Sequence, residues 1–166
     1  MHKTPSNKPY LSHSSLYVSY SDKDDLKIQA LSPYPLGVDI ESFASLKTNW
    51  SVFFNRFFTT HDKETADLLI TKYSLESNLS YLMLFSAKEA YLKLVDLKRD
   101  PLQFYLELES IDINKKYLHL KSHDLISKSN VYIFWSLKQL PSFTGVDLSL
   151  ISKNLTSPDI LSIATF

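Results

Sequence analysis

Asp39 and Glu41 stand two positions apart in Leu36-Gly37-Val38-Asp39-Ile40-Glu41, where apolar and polar residues alternate. On a strand, that period puts both carboxylates on one face, ~7 Å apart along the chain. Two acids at this spacing repel each other unless a cation lies between or near them. Mg²⁺ takes a few carboxylates together with substrate phosphate oxygens, so the pair suits a metal seat. An amphipathic strand with a polar outer face would carry the same residues in the same order. Both readings stand on this segment alone.

A second constellation is Phe85-Ser86-Ala87-Lys88-Glu89-Ala90-Tyr91-Leu92-Lys93. Glu89 and Lys93 are four apart and share a helix face. Such a pair commonly stabilises a helix by ~0.2–0.5 kcal/mol and does nothing else. It gains a chemical reading only when taken with Asp39 and Glu41. His2, His61, His119 and His123 have no spacing that suggests zinc and read as surface or loop histidines. Trp50, Phe53, Phe54, Phe57 and Phe58 read as core.

These residues must be positioned by recognisable elements. Residues 36–41 form a strand by their alternation. Short β-prone runs at 16–20 and 26–31 precede it, with a loop expected at 21–25 and a stiff Pro-containing connector at 32–35. A short aromatic helix is expected at 50–58. The next helix starts at Thr59 or Thr60 and runs to about residue 73. Residues 80–94 lack Gly and Pro and give the strongest helical signal. Period two returns at 104–108, 117–120, 131–137 and 146–151. A strand, then helices, then several antiparallel strands make the class α+β.

Composition narrows the function. The formal net charge is zero, so no general nucleic-acid affinity is expected. With no Cys, neither a disulfide framework nor a thiolate metal site exists. No apolar run suits a signal peptide or a membrane span, and a cytoplasmic location is expected. Only Gly37 and Gly145 are present, which excludes a glycine-rich phosphate loop.

Taken together, Gly37-Val38-Asp39-Ile40-Glu41 and the later Phe-Ser-Ala-Lys-Glu-Ala-x-x-Lys run resemble the paired signature of the 4′-phosphopantetheinyl transferases. Arg56-Phe57-Phe58-Thr59, with Glu64 beyond, resembles the family's linking segment. Asn7-Lys8-Pro9-Tyr10 resembles its Gly-Lys-Pro-Tyr element, and Ser12-His13-Ser14 matches its Ser-His-Ser element. These segments fall in the family's order, over residues 7–150.

The resemblance implies a Mg²⁺-dependent transfer of phosphopantetheine from coenzyme A to a serine of an acyl or peptidyl carrier protein, releasing 3′,5′-ADP. It implies that Asp39, Glu41 and Glu89 hold Mg²⁺. Glu89 matches the proposed general base, acting directly or through a metal-bound water. Lys93 matches the lysine that steadies the departing ADP, and Lys88 one of the phosphate-binding set. Lys8, Ser12 and His13 match residues lining the adenylate side of the coenzyme. The implied fold is an antiparallel sheet packed against a long helix, one β-α-β-type half preceded by a short remnant. The expected division is an arm and remnant at 1–35, the transferase domain at 36–153 and a tail at 154–166.

The chain also departs from the pattern. Longer members of the family carry a whole N-terminal half, most of which has no counterpart here, and short members assemble as trimers. Leu94-Val95-Asp96 follows the helix lysine where the family usually has a Gly. A homo-oligomer, most simply a dimer, is therefore expected, with coenzyme A near the subunit boundary. The alternatives are a truncated, non-catalytic relative and a subunit that needs a separate N-terminal partner.

Overall fold

The computed structural model of the protein describes residues 2–3, 9–11, 16–43, 56–95, 100–124, 128–137, 139–152 and 159–166. The N-terminal part supplies β1 (His2–Lys3), β2 (Pro9–Tyr10), β3 (Tyr17–Lys23), β4 (Leu26–Ser32) and β5 (Leu36–Glu41). Helices α1 (Thr60–Tyr73) and α2 (Ser77–Val95) follow. The chain then forms β6 (Tyr105–Asp112), β7 (Tyr117–His123), β8 (Asn130–Trp135), β9 (Asp147–Ser152) and β10 (Ile160–Thr165). One sheet has the order β1-β2-β3-β4-β9 and the other β5-β10-β8-β7-β6. The pairings within both are antiparallel, and the class is α+β as expected.

The second sheet is covered on both faces at its β5–β10 side. One face packs on the helices through Leu82, Met83, Ala87, Ala90, Leu118, Val131, Ile133 and Ile160. The other packs on the first sheet through Ile28, Ala30, Leu36, Val38, Ile40, Leu161 and Ile163. Thr59 caps α1 in a reciprocal capping box with Asp62, and Ser74 ends it in the left-handed region.

Several expectations are corrected. The segment 154–166, read as a tail, contains β10, which lies between β5 and β8 at the heart of its sheet. Ile160, Leu161, Ser162, Ile163 and Ala164 are all buried, so the strand shows no alternation for a sequence to reveal. The proposed boundary at residue 35 does not separate sheets, because β9 pairs with β4. The loop expected at 21–25 shrinks to a turn at Asp24-Asp25, since β3 continues through Lys23. Of the helix expected over 50–58, residues 56–57 are helical and Phe58 is described but not helical; residues 50–55 lie outside the described residues. Among the described residues no helix is long and apolar enough to cross a membrane.

Candidate active site

The polar face of β5 is not a solvated one. An amphipathic strand would leave Asp39 and Glu41 in water, yet they are only 5% and 7% exposed. The even positions Leu36, Val38 and Ile40 enter the core beside the first sheet. The odd positions face α2, as Gly37 demonstrates. A Cβ on Gly37 would overlap the carbonyl oxygen of Ala90 and the amide nitrogen of Leu94. Glycine at this point lets α2 lie directly on β5, and the helix brings its acids and lysine to the strand's polar face.

Lys93 reaches from α2 to the strand. Its Nζ reaches Asp39 Oδ1 at 2.7 Å and donates to Ser21 Oγ at 3.0 Å. Ser21 Oγ in turn donates to Asp39 Oδ1 at 3.0 Å. Lys23 Nζ lies 2.9 Å from Glu41 Oε2. Burial pushes the Glu41 carboxyl above its usual range, Lys23 pulls it back, and Asp39 adds to the rise. Burial likewise raises Glu89, with Asp39 and then Glu41 reinforcing the shift and Lys93 opposing it. Asp39, Glu41 and Glu89 thus form one mutually repelling, poorly solvated group on β5 and α2, with Lys93 and Lys23 at its edges.

Could this group take a divalent cation? Among the described residues no three His, Cys, Asp or Glu side chains already converge as a metal cage. The donor chemistry nevertheless fits. Asp39 Oδ2 is buried with no hydrogen-bond partner, and the neighbouring carboxyls hold excess negative charge. Mg²⁺ needs only one or two carboxylates beside water and substrate phosphate, so an incomplete protein cage is the expected form.

Two sets of expected site residues stand apart. Lys8, Ser12 and His13 lie outside the described residues. Lys88 is described and does not join the cluster. Its ammonium, with the residue 1% exposed, contacts Asp62 Oδ2 at 2.6 Å. It also donates to the carbonyls of Phe57, Pro101 and Phe104 at 2.8, 2.7 and 3.1 Å. The Phe104 ring lies 4.7 Å from it. Adjacent helical residues diverge by ~100°, so Lys88 and Glu89 cannot both face β5. Lys88 ties α2 to the start of α1 and to the approach to β6.

Sequence reading missed Ser21, Lys23 and Ser162. The first two follow from the alternation of Ser19, Ser21 and Lys23 along β3, which the expected loop at 21–25 obscured. Ser162 pairs directly with Asp39 across β10 and β5, and its buried hydroxyl has no hydrogen-bond partner. Nothing in its sequence surroundings signals that position.

No curated protein matches the chain. The family model described as 4′-phosphopantetheinyl transferase superfamily matches residues 35–138. That span takes in β5, both helices and β6 to β8, and it contains Asp39, Glu41, Glu89 and Lys93. With more than half its length matched, the chain belongs to the 4′-phosphopantetheinyl transferase superfamily.

Proposed function

We propose that the protein moves the 4′-phosphopantetheinyl group of coenzyme A onto a serine hydroxyl of an acyl or peptidyl carrier protein, in a Mg²⁺-dependent reaction. The observation that carries this reading is the meeting of the buried Asp39 and Glu41 with the partly buried Glu89 and Lys93 in one acid-rich cluster. Asp39, Glu41 and Glu89 are the residues to hold Mg²⁺, which when bound neutralises charge on the pyrophosphate.

The acceptor serine oxygen bonds to the phosphorus that carries the pantetheine arm. The bond from that phosphorus to the bridging oxygen breaks, and 3′,5′-ADP leaves with the electron pair. Glu89 takes the serine proton, directly or through a water. Burial beside Asp39 and Glu41 raises its proton affinity in the metal-free protein, and a bound cation would lower it again. Lys93, with 32% of its side chain exposed, is at the rim and can turn from Asp39 to the departing phosphate. Lys88 has no part in the phosphate contacts, because its ammonium is fully engaged inside the core. On the resemblance of their segments, Lys8, Ser12 and His13 line the adenylate side, and a second copy of the chain completes the coenzyme's enclosure.

Intact-mass spectrometry of a carrier protein incubated with the protein, coenzyme A and Mg²⁺ tests the reading. The carrier gains one phosphopantetheine, and it gains none with chelator or with Glu89→Gln. An unmodified carrier together with intact binding of coenzyme A would establish the non-catalytic alternative instead. Light scattering on the same sample separates a dimer from a monomer.

A further inference from the structure

β5 is an edge strand of its sheet, and its outward amides need partners. Strand β3 supplies them with side chains rather than with a ladder. Ser19 Oγ accepts from the Val38 amide at 3.0 Å, and Ser21 Oγ accepts from the Ile40 amide at 3.3 Å. Beyond this shared task the two serines differ. Ser21 Oγ also accepts from Lys93 Nζ at 3.0 Å and donates its single proton to Asp39 Oδ1 at 3.0 Å. A hydroxyl has one proton and two lone pairs, so Ser21 is fully used. The consequence lies on Asp39. Oδ1 takes both Ser21 and Lys93, while Oδ2 stays buried with no hydrogen-bond partner.

We propose that Ser21 is a positioning residue for the cation seat: it fixes the Asp39 carboxylate so that Oδ2 is the oxygen presented to a divalent cation. The proposal rests on the transferase reading above. It concerns a residue outside the span matched by the family model. The terminal torsion of an aspartate is broad and nearly two-fold, so hydrogen bonding must select its orientation. Without the hydroxyl, the carboxylate is free to rotate and Lys93 can bridge both oxygens. A cation would then have to displace an ammonium that Ser21 now holds to one side.

Calorimetry of Mg²⁺ binding in the presence of coenzyme A is the test, paired with carrier modification at varied Mg²⁺. Ser21→Ala should raise the Mg²⁺ dissociation constant about tenfold, the size expected for losing a hydrogen bond to a charged group. Saturating Mg²⁺ should restore most of the turnover, and the KM for the carrier protein should not move. Ser21→Thr keeps the hydroxyl on a strand that accepts β-branching, and it should recover the affinity. Ser19→Ala removes an equally placed hydroxyl bonded to backbone, so it should lower stability yet leave Mg²⁺ affinity within about twofold. If Ser21→Ala does not fold, Ser21→Cys keeps the volume and answers the same question. Unchanged Mg²⁺ affinity in folded Ser21→Ala or Ser21→Cys, or equal weakening by Ser19→Ala, overturns the proposal while the transferase reading survives. Wild-type protein that neither binds Mg²⁺ with coenzyme A nor modifies a carrier overturns both.

Discussion

Replacing Lys88 by Met separates two roles for a lysine in the helix motif. The substitution retains a long, flexible, apolar stem and removes only the ammonium. Around it, Asp62 is 0% exposed and the Phe57, Pro101 and Phe104 carbonyls lose their shared donor. Removing one partner of a buried ion pair costs about 3–5 kcal/mol. Asp62 keeps its bonds from the Thr59 amide and hydroxyl and from the Leu106 amide, which favours the lower half of that range. At about 2–4 °C per kcal/mol for a chain of this size, the melting temperature should fall by roughly 6–16 °C. Adding Asp62→Asn removes the stranded charge and keeps one acceptor for the cap, but its amide nitrogen then faces the Leu106 amide. The double variant should therefore regain at most part of the stability lost in Lys88→Met. Thermal and urea melts followed by circular dichroism measure both. Carrier modification well below the transition should show an unchanged KM for coenzyme A. An unaltered melting temperature with a KM raised about tenfold would refute this reasoning and return Lys88 to the phosphates.

Gly37→Ala forces α2 away from β5, because the new Cβ meets backbone atoms of Ala90 and Leu94. A loss of about 1–3 kcal/mol in urea melts is expected, with transfer falling further than stability as Lys93 leaves Asp39. Glu41 and Glu89 have raised pKa values in the metal-free protein, so the native state holds their protons more tightly than the unfolded chain does. Stability should then fall as pH rises above the unfolded value of 4.5, through the raised native values. Glu89→Gln should lessen that fall and raise the urea midpoint near neutrality in chelator, while abolishing transfer. Truncation after Asp159 removes β10 and should leave no cooperative melt, whereas loss of a mere tail would leave the melt intact.

How far the sequence spoke can be traced through individual residues. Period two placed β5, β6, β7 and β8, and helix formers without Gly or Pro placed α2, because each has one face exposed or polar enough to break the apolar run. The same test failed for β10, which is covered on both faces. Asp39 and Glu41 were found by spacing, but their burial was not, since only the approach of α2 and the first sheet removes them from water. Lys88 shows the reverse case. Resemblance grouped it with Glu89, whereas the structure pairs its ammonium with Asp62, 26 positions away (88 minus 62).

The site lies where the fold is least able to seal itself. An edge strand offers free amides, and these are commonly blunted by charge or covered by another segment. In β5 both devices meet. The serines of β3 cap the edge amides, and the charges beside them are turned inward toward α2 rather than outward to solvent. Asp39, Glu41 and Glu89 repel one another there, which local stability alone would not favour. Gly37 nevertheless holds the helix close enough to keep them together. A group of acids that the surrounding packing compresses is a place where a cation stabilises the folded state by more than it would on an open strand. The contacts that compress it come from β3, β5 and α2 at once. Residues 17–23, outside the segment matched by the family, are therefore as much a part of the site's construction as the motif residues that announce it.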